Sequence, residues 1–350
     1  MGNKITVLMT GAGAPGGPGI IKALLSDPNI DLYTADMNEY ASGRFLVSDC
    51  RFSTIPNAKD EKFIQRILEL CNKHKVDVLF PLVTLELFKI SQYKNEFLNR
   101  NIRVIVSEYD AINIANNKCQ LYSHLKANDI AIPNFKIINK NEYLEQAAYE
   151  LGYPDVPVVM KPCISNGSRG IRILDTKKDR FSLLFDEKPT SLYTNLNEIM
   201  DTIKGKKIPP LMLCEYLPGD EITVDTLVKE GEMKECLLRK RNTMNNGIST
   251  SGTFIDSDSI DKYIEQIIRA VPGLEGPVGF QVKQSKDGEF LLLESNPRIQ
   301  GTSVAALGVG INLPQLAVYL SVDSPSPSLK INRKKGISFS RYFSEVFYES

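Results

Sequence analysis

The sequence predicts an α/β protein whose strand and helix pattern changes after about residue 112. Three observations lead there. Strand-like and helix-like stretches alternate from residue 4 to about residue 112, the pattern of an open, parallel-type sheet flanked by helices. From about residue 130 the strands instead follow one another across turn residues. Residues 279–298, GFQVKQSKDGEFLLLESNPR, read as two strands joined at Asp287-Gly288, a dipeptide that favours tight hairpins.

At 350 residues the chain can hold two or three packed subdomains. Its 42 basic and 42 acidic residues cancel, which argues against nucleic acid or an anionic membrane as a partner. No apolar run approaches the roughly 20 residues that span a bilayer. MGNKITVLMTG enters a strand pattern at once, with no cleavage region; it fits the loose myristoylation pattern, against which a buried strand from Ile5 speaks. The six cysteines show no close pairing and no CxxC, and only two histidines, His74 and His124, are present. A Cys/His zinc site and histidine catalysis are therefore excluded, and free thiols in a cytoplasmic protein are expected.

In chain order, residues 4–10 form a β-branched strand, GAGAPGGPG a glycine turn, and IIKALLSDP a helix. A second strand, DLYTAD, ends at Asp36. Gly11, Gly13 and Gly16 match G-x-G-x-x-G with an acid about twenty residues on, so the dinucleotide fingerprint is formally satisfied. Residues 60–75 have helical apolar spacing, VDVLFPLV is a buried strand, a helix follows near 85–99, and IRVIVS is a strand. A helix opens near Asn117-Lys118, and Pro133 leads into a strand. Residues 157–174 read as strand, glycine-containing loop, strand; a short helix lies within 187–210. Residues 210–228 are two strands broken at Pro218-Gly219, and KECLLRKRNT extends that sheet. Helices are predicted over 258–271 and 302–320, then a linker-like SPSPSLKI and the apolar run ISFSRYFSEVF.

The hairpin carries the first chemical signal. With Asp287-Gly288 at its tip, Gln281 faces Glu294, and Asn296 and Arg298 continue the same face of an extended strand. Phe280, Val282, Leu291 and Leu293 take the other face. Oxygen donors of this kind suit Mg²⁺, which completes its shell with phosphate and water. Lys161 sits inside the apolar strand VPVVMKP, where an unpaired ammonium is costly and a phosphate would relieve it. Four residues on, SNGSRG (165–170) is a loop of small residues whose amides can cover phosphates, though no GK[ST] follows. Glu215 ends an apolar strand, and Glu221 and Asp225 share one face of the next. A strand edge before a Pro-Gly break can offer backbone groups to a purine.

Taken in order, NK at 117–118, VVMKP at 158–162, SNGSRG at 165–170, CEYLPGDE at 214–221, and Gln281 with ESNPR at 294–298 resemble the ATP-grasp superfamily. The likeness runs from the first glycine turn to about residue 320. It is closest to the synthetase halves of the carbamoyl phosphate synthetase large subunit and related carboxylate–amine ligases. The resemblance implies an α+β ATP-grasp fold. Residues 1–112 would be a Rossmann-like domain preceding the ATP-grasp unit, 113–210 a small lid subdomain, and 211–350 a large subdomain with the metal-binding hairpin.

The resemblance also implies roles. Lys118 and Lys161 would contact ATP phosphates, under a mobile flap containing Ser165, Asn166, Gly167, Ser168 and Gly170. The backbone of residues 214–217, with Tyr216 and Leu217, would hold adenine, and Glu215 or Glu221 the ribose. Gln281, Glu294 and Asn296 would bind two Mg²⁺ ions, for which Mn²⁺ can substitute. Arg298 would stabilise the transferring phosphoryl group, and Arg239 or Arg241 would bind a carboxylate substrate. The glycine turn would hold no dinucleotide; Asp36, Thr84 and Glu86, expected exposed at strand ends, would lie near the second substrate.

The expected activity is an ATP-dependent ligase that makes an acyl phosphate from a small carboxylate and joins it to an amine. Its partners are those small molecules, with a homodimer as the assembly considered. One set of motifs rather than two makes carbamoyl phosphate synthesis from bicarbonate or carbamate the alternative within this chemistry. An NAD(P)-dependent oxidoreductase using the glycine turn is the alternative outside it.

Overall fold

The computed structural model describes residues 4–349 apart from 166, 168, 188–190, 246 and 326–335. The first unit contains β1 (Ile5–Thr10), α1 (Gly17–Leu25), β2 (Ile30–Asp36), β3 (Phe52–Thr54), α2 (Phe63–His74), β4 (Val78–Pro81), α3 (Thr84–Gln92), α4 (Lys94–Leu98) and β5 (Arg103–Val104). Its strands are all parallel in the order β3-β2-β1-β4-β5. Val7, Leu8 and Met9 of β1 and Val78, Leu79 and Phe80 of β4 are buried, as a sheet covered on both faces requires. The single helix expected near 85–99 is two, meeting at Tyr93.

Next come α5 (Tyr109–Asn116) and α6 (Lys118–Ala127). Asn117 between them is extended, and its side-chain oxygen accepts from the amides of Cys119 and Gln120, a side-chain cap that starts α6 at Lys118.

A middle unit holds β6 (Phe135–Ile138), α7 (Leu144–Glu150), β7 (Val158–Pro162), β8 (Arg172–Leu174), α8 (Arg180–Phe185), β9 (Tyr193–Thr194), α9 (Leu196–Ile203) and β10 (Leu211–Glu215). The sheet order is β6-β10-β7-β8-β9. The last unit adds β11 (Glu221–Lys229), β12 (Glu232–Asn245), β13 (Ile248–Ile255), α10 (Asp258–Ala270), β14 (Gly276–Gln284), β15 (Phe290–Asn296), α11 (Leu313–Ser321) and β16 (Ser338–Ser340). Its six antiparallel strands run β15-β14-β11-β12-β13-β16.

Packing shifts the expected boundaries at 112/113 and 210/211. Strand β10 lies between β6 and β7, so the middle sheet extends to Glu215. Ala111, Ala115, Leu121 and Leu125 of α5 and α6 pack with Ile222, Val224, Phe280 and Leu292, so these helices belong to the third sheet. The middle sheet keeps a separate core around Leu144, Val158, Leu174 and Leu213. By contrast, Val7, Ile21 and Phe80 of the first unit share one core with Leu227, Leu237 and Leu316 of the last.

The helix expected over 302–320 is a 3-10 stretch, Ser303–Val309, and then α11, separated where Gly310 takes φ 89. No single helix among the described residues is long and apolar enough to cross a membrane. Of SPSPSLKI, all but the first two residues lie outside the described residues.

Candidate active site: two lysines on a bulged hairpin

The hairpin meets the expected pairing by an unexpected route. Ser285 donates to the Glu289 carbonyl at 2.7 Å, and Gly288 takes φ 91, so three residues, centred on Asp287, form the turn. From Gln284↔Phe290 the register runs to Val282↔Leu292, and the next pair is Gln281↔Glu294. Leu293 is thus an extra residue, a β-bulge. It puts Gln281 opposite Glu294 as predicted, although the two-residue turn that predicted it is absent. It also corrects the apolar face: Leu292 enters the core with Phe280 and Val282, while Leu291 and Leu293 do not.

Across the third sheet, one row runs Glu294, Gln281, Thr223, Arg239. These side chains share the face that turns away from α5, α6 and α10. Apolar Leu227 and Leu237 continue that face under the first unit, leaving its polar end for the site.

Lys161 and Lys118 reach this end from two other elements, each about 5% exposed or less. Lys161 Nζ donates to the Leu293 carbonyl at 3.0 Å. Lys118 Nζ lies 3.2 Å from Glu294 Oε2 and donates to the Ser165 carbonyl at 3.3 Å. The Lys118 amide donates to the Cys163 carbonyl at 2.8 Å. Burial alone would raise the Glu294 carboxyl; the Lys118 and Lys161 ammoniums outweigh it and hold the group below the usual carboxylate range. Asn296 Nδ2 approaches Glu294 Oε1 at 3.4 Å.

The loop over the lysines keeps Gly167 at φ 63 and Gly170 at φ 76, where a Cβ on Gly170 would stand 2.6 Å from Pro162. Asn166 and Ser168 lie outside the described residues. Below the loop, Cys119 and Cys163 are joined in a disulfide. This corrects the expectation of free thiols: 44 positions separate the two in sequence, so no local spacing betrays them.

Residues 216–220 connect the middle and third sheets and are tied to β14, the Gly219 amide donating to the Gln284 carbonyl at 3.0 Å. Leu217 is buried and Tyr216 half-buried. Both acids proposed for a ribose have partners. Glu215 Oε2 accepts from the Asn134 amide at 3.2 Å and side chain at 3.1 Å. Glu221 pairs with Arg241, which also donates to Ser249 Oγ at 2.8 Å and the Gly247 carbonyl at 2.5 Å.

Arg239 overturns its expected role. It is only 1% exposed and pairs with Asp225, whose other oxygen accepts from Gln300 Nε2 at 3.0 Å and Ser303 Oγ at 2.5 Å. It is a buried clamp on the loop that follows the hairpin. Arg298 leads that loop. Its Nε donates to Thr84 Oγ1 at 3.2 Å and its Nη1 to the Ile299 carbonyl at 2.9 Å. Burial lowers its pKa despite the attraction of Glu294.

The first unit brings further corrections. Asp36 and Glu86 are buried rather than exposed. Asp36 accepts from the amides of Gly13 at 2.8 Å and Asn38 at 2.9 Å. Glu86 accepts from Thr10 Oγ1 at 2.5 Å, and burial, followed by the neighbouring Asp36 charge, pushes it up to about 7. The glycine turn is filled by protein: a Cβ on Gly16 would lie 2.3 Å from the Gly301 carbonyl oxygen, and one on Gly301 would lie 2.3 Å from the Pro15 oxygen. The start of α1, where a dinucleotide's pyrophosphate would sit, is thus packed against the backbone of Gly301, which speaks against the NAD(P) reading.

No group of three or more His, Cys, Asp or Glu among the described residues could hold a metal unaided. Gln281, Glu294 and Asn296 offer one carboxylate and two carboxamide oxygens. That set fits Mg²⁺ arriving with phosphates, because Mg²⁺ is commonly bound by one or two carboxylates plus substrate oxygens.

A family described as ATP-grasp in the biosynthetic pathway with Ter operon matches residues 207–342, and one described as PylC-like, N-terminal domain matches residues 19–105. No curated protein matches the chain in sequence. Similar solved structures include N5-carboxyaminoimidazole synthase from Aspergillus clavatus in complex with ADP and 5-aminoimidazole ribonucleotide (TM-score 0.68, 16% identity, covering 94% of this chain and 79% of that one). Biotin carboxylase from Campylobacter jejuni aligns at TM-score 0.64 and 15% identity, over 92% of this chain and 72% of that one. L-Amino acid ligase from Bacillus licheniformis aligns at 0.63 and 15%, over 92% and 75%.

Proposed function

We propose that this chain, matched over residues 207–342 by an ATP-grasp family, is an ATP-dependent ligase that activates a small carboxylate as an acyl phosphate and joins it to an amine. The observation that carries this reading is the convergence of buried Lys161 and Lys118 on one bulged hairpin end. Two ammoniums brought together beside a single carboxylate call for a polyanion. Of the similar structures named above, one is an L-amino acid ligase, and the N5-carboxyaminoimidazole synthase and the biotin carboxylase were crystallised with a nucleotide, which supports the reading.

In the proposed reaction a carboxylate oxygen attacks the γ-phosphorus, and its bond forms as the bond to the β–γ bridging oxygen breaks. ADP leaves with that electron pair. The amine nitrogen then adds to the acyl carbon, phosphate departs, and the amine proton is lost to solvent or to that phosphate. Bound Mg²⁺, held by Gln281, Glu294 and Asn296, would neutralise phosphate charge.

Lys161 and Lys118 hold the phosphates, and the loop of residues 165–170 excludes water that would hydrolyse the acyl phosphate. The backbone of residues 214–217 takes adenine, with Glu215 or Glu221 at the ribose. Arg298 stabilises the transferring phosphoryl group, and we place the acid beside it. Arg239 and Arg241 already balance Asp225 and Glu221, whereas Arg298 is held by a hydroxyl and a carbonyl.

The test is ADP release in a screen of small acids against amines, with calorimetric titration of MgADP. Acid- and amine-dependent ADP release is expected. NAD(H) binding without MgADP binding would overturn the proposal.

A further inference from the structure

Tyr122 follows Lys118 by one turn of α6, so both side chains leave the same helix face. Its ring is fully buried, edge-on to Phe135 with centroids 5.4 Å apart, and packs with the Cys119–Cys163 pair and Met212. The Lys161 ammonium also lies over the ring, 5.1 Å from its centroid. The Tyr122 hydroxyl donates to the Leu292 carbonyl at 2.5 Å and lies 3.4 Å from the Leu293 carbonyl. Lys161 Nζ stands 3.5 Å from the same oxygen. Burial raises the phenol's pKa well above its ordinary value, so it stays a neutral donor.

These contacts fix a direction. With its proton given to Leu292, the Tyr122 oxygen has only lone pairs to offer, and Lys161 is the cation beside them. The Lys161 ammonium, with three donors, then has one on the Leu293 carbonyl and one toward Tyr122. It also lies beside the buried Cys214 thiol, a weak acceptor that an incoming phosphate would outcompete. Without the hydroxyl the ammonium keeps its charge but loses one of the two anchors that aim it.

We propose that Tyr122 is a positioning residue for Lys161, setting where its ammonium meets the nucleotide phosphates. This rests on the ATP site proposed above. The test is calorimetric binding of MgADP and of adenosine to wild type, Y122F and Y122M, with far-UV circular dichroism as the fold control. Y122F removes one oxygen and keeps the ring; Y122M removes the oxygen and also the ring face under the Lys161 ammonium.

Y122F should bind MgADP about tenfold more weakly, the scale of one hydrogen bond to a charged group, with adenosine binding unchanged. In a K161M background the hydroxyl should make no further difference. A merely structural tyrosine would weaken both ligands alike, or neither, and either result overturns the proposal. Absence of MgADP binding to folded wild type would instead overturn the ATP-site reading itself, and this proposal with it.

Discussion

The Leu293 carbonyl, on the residue that β15 carries in excess, accepts from Lys161 Nζ. β15 is the edge strand of its sheet, so its outer side has no ladder, and at the bulge Tyr122 and Lys161 meet the adjacent Leu292 and Leu293 carbonyls. The same irregularity lets Leu292 point into the core while Glu294 points into the site.

Glu294→Ala should lower ATP-dependent turnover about a hundredfold or more, as expected for losing a preorganised charge at a phosphoryl-transfer site. It also strands buried Lys118 without its carboxylate, so the variant should lose about 1–3 kcal/mol of stability in urea titrations. Adding Lys118→Met should recover much of that stability and none of the turnover. Near-normal turnover by Glu294→Ala would remove the metal and phosphate assignment.

Glu86 makes a pH signature. Its folded pKa of about 7 lies above the ordinary 4.5, so between these values the folded state holds a proton that the unfolded state has released. Stability is therefore lost as pH rises through roughly 4.5 to 7. Glu86→Gln, which can still accept from Thr10, should gain about 1–3 kcal/mol over wild type at pH 8 and nothing at pH 4. Urea midpoints across this range read it out. Parallel profiles for the two proteins would show that Glu86 ionises normally.

The Cys119–Cys163 bond should be visible by mass. Alkylation of the denatured, unreduced protein should leave two of the six cysteines unmodified, and reduction should expose them. Cys163→Ser should cost about 3–4 kcal/mol, given a closed loop spanning 44 positions. Full alkylation without reductant would contradict the bond.

Asp225→Asn tests whether Arg239 is clamp or substrate ligand. The change leaves a fully buried guanidinium without its charge partner, which should cost about 3–5 kcal/mol in chemical denaturation. Arg239→Met strands the buried Asp225 carboxylate in turn and should cost a similar amount, while leaving the KM for the acid substrate unchanged. A large rise in that KM with unchanged stability would restore Arg239 as a substrate ligand.

The strand–glycine turn–helix opening and the hairpin motif were legible because they are local: each depends on residues within about twenty positions. The two lysines were legible for a different reason, since Lys161 breaks an apolar strand and its burial demands a partner. What local spacing could not show was register and contact across the chain. The bulge at Leu293 offsets the extra turn residue, so Gln281 still faces Glu294 as a two-residue turn predicts, while Leu292 rather than Leu291 and Leu293 enters the core. The glycine turn has the right letters for a dinucleotide, but its neighbour is Gly301, far along the sequence. Tyr122, spaced like any apolar helix residue, became distinctive only when the Leu292 and Leu293 carbonyls arrived beside it.

The first and third sheets share a core, whereas the middle sheet has its own. Of the lysines, Lys118 rides with the shared body through α6 and Lys161 with the middle sheet through β7. The disulfide joins those two carriers, next to one lysine and two residues past the other. A covalent tie at that spot holds the two carriers 5.0 Å apart, Cα to Cα, beside both lysines, and so fixes from below the gap across which the proposed phosphates would be shared.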